Sequence, residues 1–328
     1  MEITSKERKF RTLFCGIAAV IMIFGSTSAY AYQIESLKDV PLENDFVLAG
    51  SKVEVWLNPG ESYVKELMIT NRLGKKMDFK VSVEDFEGTK DLESPTRLLG
   101  DDRGPYSLKD YISTELNEFT LEHGQRMILP VTINIPADAE PGGRYGSVLI
   151  SANPTSEEGG VEKDSAKGKI NLITRLASLF FVGVNGDIYR DGRLAEFKTS
   201  SWYYEQAPVS LQLIFENNGR IHLSPYGVIE IYNMMGRKID EVEADPWFSM
   251  PDSLRFREIK WNRNFLFGRY TAKASINRGY SGIVDVKEVS FWVIPWKVIL
   301  AALAILILII SILRWIASHF EIKAKKRR

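Results

Sequence analysis

The chain has 328 residues, 45% of them hydrophobic and 26% charged, with 42 basic residues, 42 acidic residues and one cysteine. That is enough for one large or two medium domains with proper cores, and too little cysteine for a disulfide framework. Of the basic residues, four lie before Tyr32 and seven after Trp296, leaving 31 between them, against 39 acidic residues. That central part therefore carries about −8, which argues against a nucleic-acid partner.

The chain opens with the basic run K-E-R-K-F-R, the apolar stretch L-F-C-G-I-A-A-V-I-M-I-F-G, and then S-T-S-A-Y-A. A basic start, a short apolar core and small residues at Ala29 and Ala31 make the pattern of an export signal. Residues 1–31 are read as a signal peptide whose removal leaves Tyr32 first; the competing reading is an uncleaved anchor helix. Cys15 lies inside this segment, without the small residues a lipoprotein signal places before its cysteine. The exported protein then has no thiol, which excludes a thiol mechanism.

From Tyr32 onward the pattern is that of strands. Phe79, Val81 and Val83 alternate with Lys80, Ser82 and Glu84; Met127 through Ile135 alternate with Ile128, Pro130, Thr132 and Asn134; Val209 through Phe215 alternate with Ser210, Gln212 and Ile214; and Tyr270 through Ile276 alternate with Thr271, Lys273 and Ser275. A period of two over many segments means half-buried antiparallel strands. Pro130, which cannot donate to a ladder, is expected at an edge or a bulge. Turn signals separate the runs: N-P-G-E at 58–61, P-G-G-R at 141–144, N-G-D at 185–187 and N-N-G-R at 217–220. The clearest helical candidate is S-L-K-D-Y-I, after the charged loop G-D-D-R-G-P at 100–105.

An internal echo suggests two related units. A strand ending in Asn71 is followed later by G-R-Y-G-S-V-L-I-S from Gly143; a strand ending in Asn217 is followed by G-R-Y-T-A-K-A-S-I from Gly268. The first interval is the longer, by about the size of a helical insertion near residues 88–112. Each tyrosine is expected to start a late strand and pack across the sheets, in the manner of the tyrosine corner. The join is placed at residues 183–187. The run K-G-K-I-N-L-I-T-R-L-A-S-L-F-F-V-G-V before it is read as the last strand of the first domain, long and apolar, so much of it should be covered on both faces.

Near the C-terminus, W-K-V-I-L-A-A-L-A-I-L-I-L-I-I-S-I-L-R-W is apolar from Val298 to Leu313. Trp296 and Trp315 are 19 positions apart. As a helix that spans about 30 Å, the thickness of the hydrocarbon core. The basic tail K-A-K-K-R-R marks the cytoplasmic side, which puts the bulk of the chain outside.

No arrangement for catalysis emerges. His123 sits in a turn-like L-E-H-G-Q, His222 in F-E-N-N-G-R-I-H-L-S-P-Y-G, and His319 just past the membrane segment. Two exported histidines cannot provide the usual zinc spacing, and H-E-x-x-H, G-x-S-x-G and phosphate-binding glycine loops are missing from the sequence. Glu84 and Asp85 are adjacent on a strand and point to opposite faces. Asp101 and Asp102 form an acidic loop without the other ligands of a calcium site. His222 reads as a structural turn or edge residue. What remains is aromatic: Trp202, Tyr203 and Tyr204 before a strand, and Trp247 and Phe248 between two prolines. Such residues either stack on sugars, anchor a protein partner, or plug the ends of a sandwich.

The segments L-N-P-G-E-S-Y-V-K-E-L-M-I-T-N, L-E-H-G-Q-R-M-I-L-P-V-T-I-N-I-P and P-G-G-R-Y-G-S-V-L-I-S resemble the first domain of bacterial cell-surface proteins that interact with WxL proteins. F-E-N-N-G-R-I-H-L-S-P-Y-G-V-I-E-I followed by G-R-Y resembles their second module. The resemblance implies a non-enzymatic role, with peptidoglycan binding by the first domain and binding of host or partner proteins by the second.

The expectation is an all-β chain of two tandem immunoglobulin-like β-sandwiches, at 32–185 and 186–295, then a transmembrane helix at 296–316 and a cytoplasmic tail at 317–328. It is a cell-envelope binding or scaffold protein, not an enzyme, with no metal or cofactor. Its partners are the membrane and either cell-wall glycan or surface proteins. The alternative is a chaperone-like assembly factor for envelope proteins, a class that is soluble and basic in its cleft.

Overall fold

The computed structural model describes residues 32–154 and 174–319. The expected leader at 1–31, with Cys15, the start of the expected last strand of the first domain at 167–173, and the tail from residue 320 onward lie outside those residues.

Strands dominate. In the first half they are β1 (Gln33–Ser36), β2 (Phe46–Ala49), β3 (Lys52–Leu57), β4 (Ser62–Asn71), β5 (Met77–Gly88), β6 (Thr96–Leu98), β7 (Ile112–Thr114), β8 (Glu118–Leu121), β9 (Gln125–Asn134), β10 (Gly142–Pro154) and β11 (Thr174–Val184). In the second half they are β12 (Gly192–Thr199), β13 (Tyr203–Tyr204), β14 (Val209–Asn217), β15 (Tyr226–Asn233), β16 (Lys238–Ala244), β17 (Ser253–Trp261), β18 (Gly268–Asn277) and β19 (Val284–Val293). One helix, α1 (Trp296–His319), ends the described chain.

The first half forms a β-sandwich. One sheet runs β1-β9-β4-β2 and the other β3-β11-β10-β5-β6, with β3 parallel to β11. Leu67, Ile69, Leu129 and Val131 of the first sheet face Phe79, Val148, Ile150 and Phe180 of the second in one buried cluster. In the second half, β12-β14-β17 faces β13-β19-β18-β15-β16. Leu211, Leu213 and Trp261 pack there against Ile229, Ala272, Ile276 and Phe291. The period-two pattern produces this directly, because alternate side chains leave opposite faces of a strand. The first cluster ends at Val184 and the second begins at Ile188, so the N-G-D turn falls between the two cores.

Two buried asparagines explain the echo between the halves. Asn71 closes β4, and its Oδ1 accepts from the Leu73 N–H at 2.9 Å while its Nδ2 donates to the carbonyls of Lys75 and Leu121. Asn217 closes β14 in the same way, accepting from Gly219 N–H at 3.0 Å and donating to the carbonyls of Ile221 and Ser249. Each side chain thus satisfies a turn and a buried carbonyl distant in sequence, that of Leu121 or of Ser249.

Three expectations need correction. The helical insertion is shorter than expected: S-L-K-D-Y-I holds one 3-10 turn, Lys109–Tyr111, and the rest of 88–112 is mainly strand β6 and loop. Asp85 holds that turn by accepting from the N–H groups of Leu108 and Lys109, and β-branched Ile112 and Thr114 then carry the chain into β7 beside β9. Pro130 lies on neither an edge nor a bulge. It sits inside the sheet at the gap between β1, which covers 125–128, and β7, which covers 131–133. No carbonyl waits there for its missing N–H. The two G-R-Y tyrosines also differ. Tyr270 faces its own core and its hydroxyl bonds to the backbone of Phe267, as in a tyrosine corner. Tyr145 is one register step off, on the outer face of its sheet, in a separate cluster with Phe86, Phe181 and Met250. A one-residue offset exchanges the faces of a strand.

Candidate functional site

That outer face is where the halves meet. Phe181 of β11 and Phe86 of β5 project from the first half; Phe248 and Met250 meet them from the loop before β17. Phe181 and Phe248 lie edge to face with centroids 4.6 Å apart. Gly88 is the point of closest approach. A Cβ there would lie 2.5 Å from that of Met250 and 2.6 Å from that of Ser253, so any side chain would force the halves apart. Gly143 makes room in another way, since a Cβ would sit 2.1 Å from the hydroxyl of Tyr145.

Hydrogen bonds fix the contact. The Tyr145 hydroxyl accepts from the His222 N–H at 2.7 Å and lies 3.2 Å from His222 Nδ1. Gly143 N–H donates to Arg220 O, Leu254 N–H to Thr89 O, and the Tyr106 hydroxyl to Asp252 Oδ2. His222 Nε2 lies 3.1 Å from Glu54 Oε1, and the imidazole stacks on Phe248 at 4.6 Å. His222 is therefore more than a turn residue: its side chain, 7% exposed, ties the second half to β3 and β10 of the first. Burial pushes its pKa below the ordinary 6.5, against the opposing pull of Glu54. Glu54 itself ends below its ordinary value: burial would raise it, but hydrogen bonds from Lys52 and His222 outweigh that. Burial raises the Tyr145 and Tyr106 phenols well above the usual range, and Asp252 adds to the shift at Tyr106.

Beside this contact opens a cleft of about 630 Å³. Phe86, Leu98, Leu179, Phe181, Phe248 and Met250 form its apolar walls, and Lys52, Arg97 and Arg255 bring positive charge. Among the described residues no carboxylate lines it. Lys52 is paired with Glu54 at 3.0 Å and lies 5.1 Å from the Phe248 ring; Arg97 is paired with Glu87 at 2.6 Å. Arg255, half-buried on β17, has no ion pair or side-chain hydrogen bond among the described residues. A concave apolar wall with an unmatched guanidinium suits a ligand with an apolar body and a negative group.

The aromatic residues singled out in the sequence do not form one surface. Phe248 is in the cleft wall. Trp247, next to it, is 5% exposed and packs edge-on against Phe215 in the second core, so it is no contact residue. Trp202, Tyr203 and Tyr204 lie at the opposite end of the second half, not beside the join, because β12 carries the chain the length of the sheet before reaching them. Trp202 is 74% exposed; Tyr203 and Tyr204 are half-buried beside β19. Lys52, Arg97, Met250 and Arg255 were not singled out by the sequence, and Tyr145 was singled out only as a core tyrosine. One signal pointed their way: β11 is apolar on both faces, which requires something to cover the outer one.

Glu84 and Asp85 have structural roles, Glu84 pairing with Arg175 and Asp85 holding the 3-10 turn. Asp101 is fully exposed, 3.9 Å from Lys109. Among the described residues no three His, Cys, Asp or Glu side chains come together as metal ligands would.

No protein-family model matches the sequence, and no curated protein matches it. Solved structures that resemble it include the class 5 fimbriae chaperone CfaA, at 14% identity over 76% of this chain and all of that one, with a TM-score of 0.35. Others are the E. coli chaperone DraB, at 13% identity over 76% of this chain and 95% of that one (TM-score 0.32), and the Pseudomonas aeruginosa CupB2 chaperone, at 12% identity over 75% of this chain and 100% of that one (TM-score 0.33). At such scores the likeness identifies no ligand, partner or activity.

Proposed function

We propose that this chain is a non-catalytic binding protein of a bacterial cell envelope. It is held by a single membrane span and consists of two tandem immunoglobulin-like domains outside the membrane, with its C-terminus in the cytoplasm. Its ligand is a segment of another protein, received in the cleft between the domains. The observation that carries this reading is the cleft itself: apolar walls, three cations and no lining carboxylate, in an exported region that is acidic overall. An apolar segment bearing a carboxylate satisfies both the walls and Arg255.

The resemblance to WxL-interacting proteins agrees with such a role, and the aromatic and cationic lining favours a protein over a bare glycan. A chaperone-like assembly role is the second reading, and the basic cleft favours it specifically. In that case occupancy is transient and the partner leaves for another site. On either reading, the full-length protein in lipid nanodiscs retains envelope proteins from the same cells. Arg255→Glu weakens that retention about tenfold or more, equivalent to about 1.4 kcal/mol or more. Retention of purified peptidoglycan instead, unaffected by Arg255→Glu, refutes the cleft as the binding site.

A further inference from the structure

At the end of the second half away from the cleft, the chain turns four times: at residues 200–208, at 234–237, at 262–267, and at 294–297 where it enters α1. Loop tips of an exported domain are ordinarily polar. Here each carries large apolar side chains in the open: Trp202 on the first, Met234 and Met235 on the second, Phe265 and Phe267 on the third, Trp296 on the fourth. Met235 is 86% and Phe265 80% exposed. Phe265 adopts φ +51°, a left-handed conformation that is costly for a bulky residue, while Leu266 beside it is buried. So the backbone bends to hold Leu266 in the core and leave Phe265 and Phe267 outside.

Charge follows the same division. The only acidic residue on these four connections is Glu205, paired with Lys297 at 2.8 Å. Arg237 and Arg263 are exposed there; Arg263 lies 3.6 Å from Asp240 and donates to Ile239 O, and Arg237 has no ion pair among the described residues. This end is thus apolar and basic on a region that is acidic as a whole.

The chain leaves little freedom over where this end sits. Between the end of β19 at Val293 and the start of α1 at Trp296 there are two residues, a reach of about 7 Å. The connection is also pinned, with Trp292 N–H donating to Trp202 O and Ile294 N–H to Tyr204 O, both at 2.9 Å. The polar layer of a bilayer is about 5–8 Å deep on each side, so a helix that begins crossing at Trp296 brings these turns to that layer.

We infer that these turns form a lipid-facing surface: Trp202, Met235, Phe265 and Phe267 enter the bilayer interface, and Arg237 and Arg263 meet anionic headgroups. This rests on the reading of α1 as a membrane span. It also gives the exposed aromatic at Trp202 a lipid contact in place of the partner contact the sequence suggested.

The test uses the full chain with Cys15→Ser in nanodiscs of phosphatidylcholine and phosphatidylglycerol, carrying one nitroxide at Met235→Cys, Phe265→Cys, Leu42→Cys or Ile307→Cys. Leu42 is exposed in the first half and Ile307 is mid-helix. These side chains are exposed, so labelling does not disturb a core. At positions 235 and 265, relaxation by a water-soluble nickel chelate should be several-fold weaker than at 42, and relaxation by oxygen stronger. Labels at 235 and 265 as open to nickel as that at 42, with 307 shielded, would overturn the lipid-facing surface and leave the anchor standing. A nickel-accessible label at 307 would overturn the anchor and this inference with it.

Discussion

The two ends of the second half use the same side chains in opposite ways. At the junction, Trp247 and Met250 are buried and Phe248 lies against Phe181 and His222; at the other end, Trp202, Met235 and Phe265 stand in the open. Residue type alone does not separate them. What differs is the neighbour supplied by the fold, an apolar sheet face at one end and the first turn of α1 at the other. If α1 crosses a membrane as proposed, the exposed aromatics at this end lie where a bilayer can cover them.

The comparison breaks most sharply at Tyr145. Tyr145→Ala removes a fully buried ring and leaves the His222 N–H without its acceptor, and should cost about 3–5 kcal/mol in denaturant unfolding. Trp202→Ala, measured by the same unfolding, should stay within about 0.5 kcal/mol of the parent. Equal losses at the two positions would erase the contrast. Next come the paired asparagines: Asn71→Ala and Asn217→Ala should each cost about 1–3 kcal/mol, because each removes a side-chain hydrogen bond to a buried carbonyl, that of Leu121 or of Ile221. A neutral result at either would mean that water reaches that carbonyl. At the contact itself, Gly88→Val should cost about 1–3 kcal/mol by overpacking and expose the cleft wall to hydrophobic dye, whereas Met235→Ala, in the far turn and 86% exposed, should stay within about 0.5 kcal/mol of the parent.

Acid supplies the smallest effect. Burial holds His222 below 6.5, so the folded chain binds fewer protons than the unfolded one as pH falls through that value. The stability contributed by a neutral His222 is complete above about pH 6.5 and declines below it, down to the folded pKa. Glu54, lowered from 4.5, acts in the same direction further down: its contribution is present above 4.5 and is lost as pH drops through its folded value. Unfolding measured across pH 7 to 5 should show this decline in the parent and a flatter profile in His222→Gln. Identical profiles would remove the histidine from the account.

How much of this was legible in the sequence depended on range. Alternation placed β5, β9, β14 and β18 directly, because a strand's faces are set by its own residues. The asparagine-ended strands were visible as an echo, though not their identical hydrogen bonds, which need carbonyls up to 50 positions away. The G-R-Y echo misled at Tyr145, since a register offset of one residue is invisible without the partner strand. The cleft was least legible of all. Lys52, Phe86, Arg97, Phe181, Phe248 and Arg255 come from five separate stretches, and no local period joins them. Only the apolar outer face of β11 hinted that something would cover it.

The central claim is that a protein segment occupies the cleft. It is tested most directly by a photocrosslinking amino acid at Leu98, which is exposed on the cleft wall, in the full-length protein in living cells. The account predicts a discrete protein adduct at Leu98 that disappears with Arg255→Glu while the protein remains folded. No adduct at Leu98, or one that persists unchanged with Arg255→Glu, would contradict it.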